Sequence, residues 1–401
     1  MPRRARTAST LSVIAAITLS LGFAGIGALP AAADSIDGVP VTGTPSAVQQ
    51  LVDYNGALYM TATNGTDSVL FAYDGAAFTE VPGSPLNPSF FHVHAGVLYF
   101  NAFGALGDSE LWSFDGVTFT EIDGADDPSQ FITYGGALYF AANPSGPIRL
   151  YTLTGTTVSL VAGSPEHFYD GIVEFGGDLV MISSASADAT VEAVWSFDGT
   201  TFTEQLAAPP APRSLTVAGG DLYLTGSTGA DLFVSDGTTF TPIATGALTD
   251  VYALVEFADT LYFGALTGAD YRLHRVEGGV VVPIPGSPES PFAGFAHDGA
   301  LWFQGADAEG NTIAFRYDGA AVTPLGGPAR YPVDWTPFAG ELYFVAYDGP
   351  ASETGALFRV ALTTDPALAP SGLDVTAPLL VTGVLLALGA TLLARRRRVA
   401  P

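Results

Sequence analysis

A tripeptide of the form Leu-Tyr-Phe returns eight times along this chain, beginning at Leu58, Leu98, Leu138, Leu179, Leu222, Leu261, Leu301 and Leu342. The steps between copies are 40, 40, 41, 43, 39, 40 and 41 residues. A period this even restricts the chain to a repeat architecture, in which each unit has an apolar face that only its neighbour can cover.

One unit reads as four short strands, a to d. Around Leu98, the apolar run Phe91–Ala95 ends at Gly96 and Val97–Ala102 alternates. A polar stretch, Phe103–Ser109, follows. Glu110–Phe114 and Val117–Ile122 then flank Asp115-Gly116. Short β-rich runs punctuated by Gly and Asp-Gly are strand and hairpin signals. Strand c and its turn recur at Leu70–Gly75, Leu111–Gly116, Val194–Gly199 and Leu232–Gly237. Asp and Gly both tolerate positive φ, so Thr154-Gly155 and Glu277-Gly278 read as degenerate forms of the same turn.

Four-stranded units of this length are expected to form propeller blades. The eighth copy ends at Leu357–Leu362 without a fourth strand, while Asp37–Pro45 resembles Gly279–Pro288, the end of an earlier copy. The missing strand therefore stands at the front of the chain. Closing the ring with it removes the exposed sheet edges of an open stack. The expected fold is all-β: an eight-bladed β-propeller of four-stranded antiparallel blades over residues 34–362, its last blade closed by the N-terminal strand, plus a C-terminal transmembrane helix.

Glu110-Leu111-Trp112-Ser113-Phe114-Asp115-Gly116 resembles the Glu-Leu-Trp-x-x-Asp-Gly-Thr repeats of bacterial secreted propellers, and Trp195–Thr200 matches in part. The resemblance implies a fold and leaves function open, since propellers host both enzymes and binders.

The ends of the chain speak of location. Arg3, Arg4 and Arg6 precede an apolar run, Leu11–Leu29, and Ala31 and Ala33 fit a cleavage site, so residues 1–33 read as a secretory signal peptide. Residues 375–394 are apolar apart from three threonines, long enough to span a membrane, and Arg395–Arg398 open a basic tail, 395–401, expected on the cytoplasmic side. In the linker, 363–374, Leu368-Ala369-Pro370-Ser371-Gly372 resembles the Leu-Ala-x-Thr-Gly sorting signal of actinobacterial sortase substrates, with Ser371 where Thr is usual. The resemblance implies a sortase as partner, cleavage between Ser371 and Gly372, and attachment to the envelope through Ser371. An ordinary single-pass tail anchor is the alternative.

Residues 34–371 carry 39 acidic residues against seven arginines and no lysine, a formal charge of −32. Such a chain repels nucleic acid and anionic lipid. Solubility accounts for the charge. A cation site at Asp123, Asp126 and Asp127 is the sharper alternative, though no Asp-x-Asp-x-Asp-Gly loop is present. Without cysteine, an exported chain relies on its apolar core.

His92 and His94 face one side of a strand and have a spacing that suits a metal. Aligning the copies, however, puts Tyr54, Tyr134, Phe175, Phe257, His297 and Phe338 at the His94 position, with Ala218 as the small exception. That is a packing column, and His92 stands where other copies have Val52, Ile132, Val173 and Val255, so it too is expected to be buried. Asp53, Thr133, Glu174 and Glu256 share one strand-a position and supply carboxylates of the kind glycosidases use. No nucleophile elbow, phosphate loop or zinc-protease helix is present.

No catalytic residue, metal or cofactor is assigned. The a–b and c–d turns are tight, whereas the b–c loops Thr63–Ser68, Phe103–Ser109, Ser183–Thr190, Ala306–Thr312 and Tyr347–Thr354 differ between copies. The ligand face is therefore expected on the b–c/d–a rim. The expected function is non-enzymatic binding or adhesion at the cell surface, to a glycan or protein. A carbohydrate-active hydrolase or lyase is the alternative.

Overall fold

In the computed structural model, residues 35–363 are described, except 145, 168–169, 186–190, 227–230 and 349–353. The signal peptide, sorting motif, membrane span and basic tail expected from the sequence lie outside the described residues, as do parts of the b–c loops at 183–190 and 347–354.

The described residues form eight four-stranded antiparallel sheets and no helix. Blades 1 to 7 run Ser46–Glu80, Leu86–Ile122, Ser129–Leu160, Asp170–Glu204, Arg213–Ile243, Thr249–Pro283 and Glu289–Pro324. Blade 8 takes strands a to c from Ala329–Thr363 and its outermost strand from Ser35–Pro40, which pairs antiparallel with Ala356–Thr363. Every sheet is thus completed from within Ser35–Thr363, a single compact unit. The closing strand is latched on its outer edge: the Gly38 N–H donates to the Gly326 carbonyl at 2.9 Å and the Gly326 N–H to the Ile36 carbonyl at 2.8 Å. Gly327, at φ 91°, leaves no room for a side chain, since a Cβ there would lie 2.5 Å from the Gly38 carbonyl oxygen.

Strand alternation explains the tripeptide. Its Leu and Phe positions face the preceding blade and its Tyr position the following one, so Leu58 and Met60 of blade 1 meet Phe338, Tyr343 and Val345 of blade 8. In the same way Tyr59 meets Phe114 of blade 2. All eight leucines are buried. The core of the described residues is eight apolar clusters, each shared by two neighbouring blades. The blade 4–5 cluster is the thinnest, with Val180, Val194, Leu222 and Leu224 as its buried members.

The a–b turns have two residues, both at positive φ, as in Asn55-Gly56, Gly135-Gly136 and Ala339-Gly340. The c–d turns correct the sequence reading. Asp74, Asp115, Asp198, Asp236 and Asp318 are absent from the positive-φ residues. Each instead accepts hydrogen bonds from the backbone N–H groups two and three residues on. These Asx-type turns close four-residue loops. Blades 3 and 6 instead use two-residue turns, Gly155-Thr156 and Gly278-Gly279. They are a different hairpin, not a degenerate copy.

Where strand d bends away toward the next blade, a serine takes over its ladder. The Oγ atoms of Ser84, Ser164 and Ser287 accept from Leu70, Leu150 and Leu273 N–H at 2.9, 2.8 and 2.8 Å. Each hydroxyl also donates to the carbonyl of the following proline.

Candidate functional site

The innermost strands carry repeated β-bulges. In blade 1 the pairing with strand b shifts between Ser46 and Gln49 and again between Gln49 and Val52, with Ala47 and Gln50 at positive φ. Blades 2, 6, 7 and 8 shift twice in the same way. Bulges re-aim side chains at sheet edges and sites. Here they join neighbouring blades: the Gln50 N–H donates to Asp334 Oδ2 of blade 8 at 3.0 Å, and the Phe90 N–H of blade 2 to Gln50 Oε1 at 3.1 Å.

At blades 6 and 7 the bulged strands present aromatic rings on the b–c/d–a rim. Tyr252, Tyr271 and Phe292, with Val251, Asp250 and Ser290, line an open cleft of about 500 Å³. The rings of Tyr252 and Phe292 are 6.2 Å apart and within 23° of parallel, and Tyr271 meets Tyr252 edge-on at 5.4 Å. Phe292 is 53% exposed, far more than a ring kept for packing. The Tyr271 hydroxyl donates to Asp250 Oδ2 at 3.2 Å. Burial pushes the Tyr252 phenol up to about 12, so it stays a neutral donor.

Two features of the chain open this cleft. Tyr252 pairs with Gly264 on strand b, where the other described strands b carry a side chain. The b–c connection of blade 6 is only Gly268-Ala269, joining Thr267 to Asp270. The cleft thus lies on the b–c/d–a rim, in the blade whose loop is shortest and leaves the strand ends uncovered. Tyr252 and Phe292 stand where other blades have Gln49, Ser89, Ser129 and Arg213. That departure from the repeat was the available signal, and a search among long loops misses it.

His94 is a half-buried member of the packing column, and His92, expected to be buried, is half-buried too. They share a partner: His92 Nε2 and His94 Nδ1 lie 3.0 and 2.9 Å from Thr133 Oγ1 of blade 3. Burial, with His94 nearby, holds His92 below the usual imidazole range. Elsewhere in the column the tyrosines donate to the next blade, Tyr54 to the Gly96 carbonyl and Tyr134 to that of Gly177.

Asp53, Glu174 and Glu256 occupy one register position, in blades 1, 4 and 6. No two stand in adjacent blades, and Glu256 accepts from the N–H of Asp259 in its own turn. Asp123, Asp126 and Asp127 lie on the connection from blade 2 to blade 3. No set of three metal-ligating His, Asp or Glu side chains converges among the described residues. Beside them, burial and the charges of Asp126, Asp108, Glu121 and Asp123 raise the Glu110 carboxyl to about 7.

No protein-family model matches the chain, and no curated protein matches it. Among solved structures, the computationally designed Ika8 protein is similar at TM-score 0.56 and 14% identity, over 81% of this chain and 99% of that one. The β-propeller domain of the Trilobed protease from Pyrococcus furiosus matches at TM-score 0.47 and 13% identity, over 70% and 98% of the two chains. A puromycin-hydrolyzing peptidase from Mycobacterium tuberculosis matches at TM-score 0.49 and 10% identity, over 75% of this chain and 58% of the peptidase. Identities this low speak to the fold alone.

Proposed function

We propose that this chain is a non-enzymatic saccharide-binding propeller displayed at the cell surface. The observation that carries the reading is the near-parallel pair of rings, half-buried Tyr252 and exposed Phe292, beside the Asp250 carboxylate. The face of an aromatic ring is electron-rich and apolar and stacks on the C–H face of a sugar. Carboxylate and hydroxyl groups at the edge then take the sugar's hydroxyls. A strongly acidic surface disfavours anionic polymers, so the preferred occupant is a neutral pyranose chain.

The sequence supports the location. The signal-like start, residues 375–394 and Leu368-Ala369-Pro370-Ser371-Gly372 together fit a chain exported and held by its C-terminus, with a sortase acting at Ser371.

The test is affinity electrophoresis of residues 35–363 in gels containing neutral polysaccharides, with product analysis of the same mixtures. Retardation without new reducing ends is expected. Hydrolysis that Glu174→Gln or Glu256→Gln abolishes would replace this reading with an enzymatic one.

A further inference from the structure

A second cavity, of about 610 Å³, lies at the opposite rim, between blades 7 and 8. Its walls include Trp302, His297, Arg316 and Arg359, with Asp298 on the exposed a–b turn and Ile36 from the closing strand. Two positions that hold facing rings at some other seams hold smaller groups beside this cavity. At the blade 1–2 seam Tyr54 meets Phe114, and at the blade 6–7 seam Phe257 meets Tyr317. At the blade 7–8 seam the column residue is His297, and the strand-c position is Val360, the residue next to Arg359 in the pairing of Tyr343 with Arg359. An imidazole and a small aliphatic group thus stand beside the cavity where those seams have two rings.

Arg316 is left underused there. Its register equivalent in blade 6 is Arg275. Arg275 donates to Glu277 at 2.7 and 3.2 Å and to the Tyr317 hydroxyl at 3.3 Å. With Val360 in place of that tyrosine, Arg316 has one long contact, 3.5 Å to Asp318, although its side chain is only 29% exposed. Arg359 is fixed by Glu341 at 2.6 Å, and the second oxygen of Glu341 accepts from Tyr343 at 2.9 Å. Two of the seven arginines of residues 34–371, a stretch with 39 acidic residues, therefore line one cavity, with Glu341 already committed.

We propose that this cavity binds a carboxylated monosaccharide, a uronate, with its carboxylate on the Arg316 guanidinium. The guanidinium fork matches a carboxylate. The Trp302 indole supplies an apolar wall, and Asp298 at the lip accepts from sugar hydroxyls. The volume falls within the range of small-ligand pockets. This site is independent of the aromatic cleft on the other rim.

The test is calorimetric titration of residues 35–363 with galacturonate and with galactose, its uncharged counterpart. Galacturonate is expected to bind saturably and galactose not to. Arg316→Met should weaken galacturonate about tenfold, the loss of one charge-assisted hydrogen bond. Arg316→Lys should fall between. Melting temperature and saccharide binding at the Tyr252 cleft should stay unchanged in both variants. Equal binding of the two sugars, no binding of galacturonate, or unaltered affinity in Arg316→Met would each overturn the proposal.

Discussion

The ring of Tyr252 lies over Gly264, so close that a Cβ on the glycine would come within 2.5 Å of the tyrosine Cζ. This glycine is not at positive φ. Its role is to give a side chain on the neighbouring strand a floor to lie on.

Gly264→Val should therefore lift the Tyr252 ring from the sheet and break its parallel alignment with Phe292. Saccharide binding is expected to fall at least tenfold, or by about 1.4 kcal/mol. Near-ultraviolet circular dichroism would register the displaced ring, and binding at Arg316 should be untouched. Unchanged saccharide affinity would count against the cleft as the site.

Ring closure depends on Gly327, whose φ of 91° and contact with the Gly38 carbonyl leave no room for a methyl group. Gly327→Ala is expected to cost about 2 kcal/mol or more, from backbone strain and the loss of nearby latch hydrogen bonds. Hydrogen exchange should show faster exchange at Ser35–Pro40 than in blade 4. Uniform acceleration would mean that the N-terminal strand is no separate latch.

Ser164 and Leu150 provide a local test of the serine that continues strand d. Ser164→Ala leaves the buried Leu150 N–H without its 2.8 Å acceptor. An unsatisfied buried donor costs roughly 1–3 kcal/mol, measurable by denaturant unfolding. Ser84→Ala, at a less buried copy, should cost less.

Closure was legible in the sequence because Asp37–Pro45 resembles Gly279–Pro288, so the strand missing at one end stands at the other. The packing column was legible for the same reason, since eight aligned copies separate a structural position from a chemical one. The Thr133 bridge between His92 and His94 was not, because it joins residues of two blades whose approach depends on the ring. The aromatic cleft was hidden twice over: Tyr252 and Phe292 are 40 residues apart, and their exposure depends on a two-residue b–c turn at Gly268-Ala269. Asp turns were misread in mechanism because a positive-φ preference and a side-chain acceptor leave the same Asp-Gly signature.

Glu110 makes stability depend on pH. Its carboxyl is raised to about 7 in the fold by burial and surrounding acidic groups. The stabilisation it contributes is complete below the unfolded value near 4.5 and is lost as pH rises through about 7. Glu110→Gln should melt level with the parent at pH 4 and above it at pH 8, by roughly 2 °C, after allowing for solvent screening. A difference that grows toward acid pH would contradict this sign.

Phe292 tests the central claim most directly, because its ring is 53% exposed and its removal leaves the blade cores intact. The measurement is calorimetric titration of residues 35–363 and of Phe292→Ala with a neutral oligosaccharide taken from whichever polysaccharide retards the parent. A saccharide-binding cleft predicts at least a tenfold loss of affinity with an unchanged melting temperature. Equal affinity in the two proteins would contradict it.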